Sequence, residues 1–258
     1  MPAINFKVQG KGTAIVLIHG FCETLEMWNN IVPELAKEYL VYSIDLPGFG
    51  GSPLPKEQVS IELIAKSVAD WAKEQGIDRA VYIGHSLGGY IALALAELYP
   101  DLINGIGLAH SNAYADPEEG KINRDKVVKF IERHGHEKWI ETFAPSLFAK
   151  ENVDHCQAAI KMVTEMGVNT QAETIIAYTL AMKDRKDRFE VWENIEGHCL
   201  FIGGTEDSRI SPEISEEHIY AREKVDGHIL PGIGHMGMFE DQPNYIEIVS
   251  TYLHKASH

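Results

Sequence analysis

The chain has 258 residues, 45% of them hydrophobic and 24% charged, a balance that suits one globular α/β domain and excludes disordered or fibrous classes. Its 38 acidic residues against 23 basic ones give a formal net charge of −15, which argues against nucleic acid or an anionic membrane as the main partner. No apolar run approaches the roughly 18 residues of a membrane span. Met1 to Lys7 has neither the basic nor the apolar stretch of a secretory leader, and Cys22, Cys156 and Cys199 are scattered without metal or redox spacing. A cytoplasmic protein with reduced thiols is expected, as a monomer or homodimer.

Along the chain, Ile4 to Val8 alternates like an edge strand, and Ala14 to Ile18 is a continuous apolar run, as a strand covered on both faces requires. A helical stretch is expected from about Met27 to Tyr39. Leu40 to Ile44 reads as the next strand, ended by the turn chemistry of Asp45 to Pro53. An amphipathic helix follows from Ser60 to Gln75, with Ser60 as its cap and Gly76 past its end. Ala80 to Ile83 is a short buried strand, Leu87 to Leu98 a buried helix, and Ile103 to Leu108 a further strand. From about Ser111 to Arg188 the patterns are helical only, with apolar anchors that include Trp139, Phe143 and Met162. The alternation resumes with the His198 to Ile202 strand, a helix from Pro212, the Gly227 to Leu230 strand and a last helix from Pro243 to about Leu253. Repeated β-α units predict a doubly wound, mainly parallel sheet, formed by residues 1–110 and 189–258. A block of helices as long as residues 111–188 is an insertion over that sheet rather than a loop.

The most informative stretch is Gly84-His85-Ser86-Leu87-Gly88-Gly89. A serine between a strand and a helix, with glycine two positions away on either side, sits on a sharp turn that thrusts its hydroxyl into the open. The first amide of the following helix, that of Leu87, points the same way and suits a developing oxyanion. A serine hydroxyl needs a base, and among the chain's twelve histidines position singles out His235, in the loop directly after the Gly227 to Leu230 strand. Asp207 follows another strand end in Gly203-Gly204-Thr205-Glu206-Asp207 and can fix the tautomer of that histidine, with Glu206 as the nearest rival. A second oxyanion donor is expected at the amide of Phe21, in His19-Gly20-Phe21-Cys22. His19 reads as a brace for that loop, Cys22 as an inert thiol, and Asp45 as a structural turn residue. His85 should point away from the pocket, whereas His110 is placed to line it. His134-Gly135-His136 lacks further metal ligands, and no metal is expected.

With these residues in this order, the chain resembles the α/β-hydrolase superfamily over nearly its whole length. Within it, the chain looks like capped, intracellular bacterial serine carboxylesterases and enol-lactonases, whose helical cap follows the sixth core strand. Serine at the elbow departs from the aspartate of dehalogenases and epoxide hydrolases and from the cysteine of dienelactone hydrolases. The resemblance implies a cofactor-free Ser86-Asp207-His235 triad, an oxyanion hole at Phe21 and Leu87, and a small, largely apolar ester or lactone as substrate. Trp139, Phe143, Met162 and Met236 are the expected substrate contacts. The same triad could serve carbon-carbon bond hydrolysis or perhydrolysis, and the same scaffold a small-molecule receptor.

Overall fold

The computed structural model describes residues 3–256. Met1 and Pro2, the start of the segment read for a leader, lie outside the described residues, as do Ser257 and His258. Seven strands form one sheet: β1 (Phe6–Gly10), β2 (Ala14–Ile18), β3 (Leu40–Ile44), β4 (Ala80–His85), β5 (Ile103–Ala109), β6 (Cys199–Gly204) and β7 (Val225–Leu230). Their order is β1-β3-β2-β4-β5-β6-β7, with β1 antiparallel to β3 and every other pair parallel. The continuous apolar run of β2 has a direct cause. Val16 and Ile18 join the core on one face of the sheet, Ile15 and Leu17 the core on the other.

Helices cover both faces. The first layer contains α2 (Ile61–Glu74) and α3 (Leu87–Leu98); α1 (Val32–Leu35) and α11 (Gln242–Ala256) contribute to the second. Ser60 caps α2 as expected, its hydroxyl accepting from the Leu63 N–H at 3.1 Å. The helix expected from Met27 to Tyr39 is instead a 3₁₀ turn, Leu25–Trp28, followed by the four residues of α1. Pro33 explains the restart: without an N–H it suits the first turn of a helix and not the interior of a longer one.

Between β5 and β6 the chain forms α4 (Glu118–His134), α5 (His136–Phe143), α6 (Gln157–Val168), α7 (Ala172–Lys183) and α8 (Phe189–Asn194). The insertion leaves at the expected strand, Ile103–Ala109, but this is the fifth of seven strands and not the sixth, because a single strand precedes Ala14 among the described residues. The two ends of the helical segment are tied together: the Arg188 N–H donates to the Ala113 carbonyl at 2.7 Å, and the Ala113 N–H donates to His218 Nε2 at 2.8 Å. Farther on, the Tyr178 hydroxyl donates to the Pro47 carbonyl at 2.7 Å, seating α7 on the turn after β3. The sheet is completed by α9 (Pro212–Tyr220) between β6 and β7, and by the short α10 (Gly237–Glu240).

Burial, the largest influence on each, lowers the pKa of His19, His110 and His218, and half-buried His228 is shifted the same way. These rings favour the neutral form in the fold, while in the unfolded chain they gain a proton near pH 6.5. Acidification below about 6.5 therefore favours unfolding, by up to about 1.4 kcal/mol per pH unit for each ring. His85 has a raised pKa and works the other way: its contribution is complete below the unfolded value and fades as pH rises through the folded one. With four rings against one, the melting temperature should fall between pH 7 and pH 5. A calorimetric series in which it stays level or rises would contradict this balance.

Candidate active site

The turn from β4 into α3 holds Ser86 at φ 48° and ψ −112°, a left-handed backbone that costs a non-glycine residue about 1–3 kcal/mol. Close packing enforces it. A Cβ on Gly84 would lie 2.2 Å from the Gly88 carbonyl carbon, and one on Gly88 would lie 2.4 Å from the Ile18 carbonyl oxygen. The Ser86 N–H donates to the Ala109 carbonyl at 2.9 Å, and the Ser86 carbonyl accepts from the Ser111 hydroxyl at 2.7 Å. Leu87 opens α3, so its N–H has no carbonyl one turn back within the helix.

The loop after β7 brings His235 onto the same cavity that Ser86 lines. Its Nδ1 lies 2.9 and 3.0 Å from the two oxygens of Asp207, whereas Glu206 faces solvent. Asp207 also accepts from His110 Nδ1 at 3.1 Å and from the N–H groups of Arg209 and Ile210 at 2.8 and 3.1 Å. Burial alone would raise the pKa of this carboxyl. The neighbouring His235 and the hydrogen bonds from His110 and His235 outweigh it and hold Asp207 well below the usual carboxylate range. His110 thus supports Asp207 rather than lining the cavity, contrary to the reading of its position after β5, and its Nε2 is buried without a partner. His110, Asp207 and His235 bring three potential metal-ligating atoms within 4.8 Å of one another. Asp207 nevertheless accepts a hydrogen bond from each ring, so metal binding at these atoms would displace both ring protons.

The main chain of His235 is held from several sides. Its N–H donates to the Leu147 carbonyl at 2.7 Å, and the flanking N–H groups of Gly234 and Met236 donate to Glu240 at 3.1 Å. Its carbonyl accepts from His85 Nε2 at 2.9 Å. His85 does point away from the cavity, and its Nδ1 lies 3.0 Å from the buried Glu23 carboxylate. A carbonyl and a carboxylate both accept only, so both contacts are satisfied together when the two ring nitrogens of His85 carry protons, which favours an imidazolium paired with Glu23. Burial opposes that charge, but Glu23 outweighs it and raises the His85 pKa; Glu23 is lowered in turn, its own burial overcome by His85. The sequence reading missed Glu23 altogether. Its only sequence signal is a carboxylate three residues beyond Gly20, whose N–H it accepts at 2.7 Å.

His19, Cys22 and Asp45 take the structural roles expected. His19 Nδ1 donates to the Gly20 carbonyl and Nε2 accepts from Leu46 N–H; Cys22 is a buried thiol raised by burial and then by Glu23. Asp45 accepts from Asn5 Nδ2 and from the Leu25 and Gly51 N–H groups. The cavity, of about 820 Å³, lies between the sheet ends and the helical segment. Trp139 and Phe143 line it, stacked with ring centroids 4.3 Å apart, and Phe21 meets Phe143 edge-on at 6.1 Å. Met162 and Met236 do not line it, which corrects their placement as substrate contacts: Met236 is fully buried in the hydrophobic cluster that holds Ile15 and Leu17, and Met162 is partly buried against that cluster.

The family model for the alpha/beta hydrolase fold matches residues 13–151, more than half of the chain. The chain belongs to the α/β-hydrolase family. Its structure is similar to that of a thermophilic esterase from Thermogutta terrifontis, with a TM-score of 0.94 and 26% identity over 100% of this chain and 95% of that one. It shares the fold of the enol-lactonase from Burkholderia xenovorans LB400, with a TM-score of 0.89 and 22% identity over 98% and 97% of the two chains. Among curated relatives, the pimeloyl-[acyl-carrier protein] methyl ester esterase of Aeromonas hydrophila is 40% identical over 98 residues, 38% of this chain and 37% of that protein. The bifunctional epoxide hydrolase 2 of Sus scrofa is 30% identical over 129 residues, 49% of this chain and 23% of that protein. These matched stretches span well under half the length of the curated relatives. No helix among the described residues is long and apolar enough to cross a membrane.

The charged state of His85 is directly measurable. In ¹⁵N spectra at pH 7 both of its ring nitrogens should be protonated, and a neutral ring with one bare nitrogen would refute the ion pair. Glu23→Ala leaves that imidazolium buried without its partner and should cost about 3–5 kcal/mol of stability in chemical denaturation.

Proposed function

We propose that this α/β-hydrolase cleaves small carboxylic esters or lactones through an acyl-enzyme on Ser86. The observation that carries the reading is the alignment of a buried, ionised Asp207 on His235 Nδ1, with the strained Ser86 elbow opening on the same cavity. Asp207 holds the proton on Nδ1, so Nε2 is the basic nitrogen. Ser86 Oγ transfers its proton to Nε2 as it bonds to the substrate carbonyl carbon. The carbonyl oxygen becomes an oxyanion, for which the Phe21 and Leu87 N–H groups are the assigned donors. Collapse of this intermediate breaks the bond to the alcohol oxygen, which takes the proton from Nε2. Water then gives a proton to Nε2 and its oxygen to the acyl carbon, and the acid leaves as Ser86 regains its proton. The likeness to the Thermogutta terrifontis esterase supports this choice of electrophile.

In this reading residues 111–188 form a cap that selects the substrate, since Trp139 and Phe143 supply a cavity wall while Ser86, Asp207 and His235 lie outside that segment.

An organophosphonate probe should add once per chain, at Ser86, and Ser86→Ala should abolish the adduct in intact-mass analysis. Asp207→Asn should lower kcat/KM on a competent ester by two to four orders of magnitude, about 3–5 kcal/mol of transition-state stabilisation, in protein of comparable melting temperature. Glu206→Gln should leave turnover nearly intact. Labelling that survives Ser86→Ala, or a larger loss from Glu206→Gln than from Asp207→Asn, overturns the assignment.

A further inference from the structure

The chain carries a strong negative charge, yet its cavity is lined by three guanidinium groups, those of Arg124, Arg185 and Arg209. Asp116 serves two of them: Arg124 Nε lies 3.0 Å from one carboxylate oxygen, and Arg185 Nη1 bonds to the other. Arg185 is further held over the Tyr90 ring and by the Tyr114 carbonyl, which makes it a buried structural cation. Arg209 is different. Its Nη2 donates to the Ser146 hydroxyl at 2.7 Å and its guanidinium lies 5.2 Å from the centre of the Phe143 ring, but among the described residues it makes no ion pair.

The only carboxylate that acts on Arg209 is Asp207, whose oxygens are committed to His110, His235 and two backbone N–H groups. Arg209 is itself an exposed residue, and partial desolvation at the cavity lining together with the like charge of Arg124 pulls its pKa down against the pull of Asp207. Three cations are thus set against Asp116 and Asp207, leaving one positive charge in excess. A carboxylate supplies one negative charge and two oxygens that match the planar fork of arginine. Arg209 and Phe21 both contact the Phe143 ring, and all three line the same cavity as Ser86.

Resting on the ester or lactone hydrolase reading, we infer that the substrate carries a carboxylate beyond its ester group, received by Arg209 with Arg124 beside it. The half-ester of a dicarboxylic acid is the simplest such molecule. The largely apolar substrate expected from the sequence then describes one wall of the cavity only.

The binding test uses Ser86→Ala protein and calorimetry, with monomethyl adipate and methyl hexanoate as matched ligands. The half-ester should bind at least tenfold more tightly, and Arg209→Gln added to Ser86→Ala should remove most of that difference. Arg209→Lys, which keeps the charge and loses the fork, should fall between the two. Equal affinities within twofold, or a preference that survives Arg209→Gln in folded protein, overturn the inference. Tighter binding by a hexyl phosphate than by the half-ester overturns the choice of carboxylate. A kinetic arm compares mono-p-nitrophenyl adipate with p-nitrophenyl hexanoate on the wild-type enzyme, where the first should have the higher kcat/KM by at least tenfold. Tight binding of the half-ester without turnover of either ester sustains the carboxylate site and removes the hydrolase reading. Turnover of both at equal kcat/KM sustains the hydrolase and removes the site.

Discussion

The position of the His235 ring depends on a main chain that is tied down at each of its hydrogen-bonding groups. The Leu147 carbonyl takes its N–H, the His85 imidazolium holds its carbonyl, and Glu240 gathers the N–H groups on either side. A loop histidine left to itself samples many orientations, and a general base has to stay within hydrogen-bond reach of the proton it removes. The tie to Leu147 couples this loop to the helical segment, because Leu147 lies between α5 and α6 and also borders the cavity. The Glu240 carboxylate extends the same coupling, accepting from the Ala149 N–H at 2.9 Å and from Asn152 Nδ2 at 2.7 Å. The cavity wall and the loop that carries His235 are therefore one hydrogen-bonded unit.

Two buried histidines near that loop show how surroundings decide the state of one residue type. His85 lies between a carboxylate and a carbonyl and favours the charged form; His110 has a carboxylate on one side only and leaves Nε2 bare. Burial is the largest influence on both rings, and it prevails at His110 while Glu23 defeats it at His85. His85 places a positive charge under the loop, and Asp207 holds a negative one against His235. The His235 ring thus meets a fixed anion at Nδ1, which in the proposed mechanism stabilises the imidazolium formed as Ser86 gives up its proton.

The cavity and the surface differ in sign. An overall excess of acidic residues serves solubility and repels anions at long range, with a reach of about 10 Å at moderate ionic strength. Inside the cavity the guanidiniums act over contact distances, where screening is weakest and direct hydrogen bonds are available. A net charge read from composition therefore does not predict the charge that a bound ligand meets.

Much of this protein follows from local pattern. The strand Ala14–Ile18 agrees with the continuous apolar run that announced it, because a strand buried on both faces must be largely apolar, and Leu40–Ile44 falls where it was expected. The glycines around Ser86 mark the elbow for a steric reason, since even a methyl group on Gly84 or Gly88 collides with neighbouring backbone. The adjacency of Asp207 and His235 was legible from their places at successive strand ends, since parallel strands bring those ends together. Other features required the tertiary structure. Glu23 and His85 are 62 residues apart, and no periodicity links them; only the approach of the turn after β2 to the turn after β4 makes them an ion pair. His110 follows its strand as predicted, yet which way its ring turns was decided by Asp207 rather than by the strand. Met162 and Met236 look like cavity residues by type and position, but the packing of helices and loops turns both toward the cluster around Ile15 and Leu17. The free charge of Arg209 is decided the same way, since a sequence counts the carboxylates but only the fold allots them.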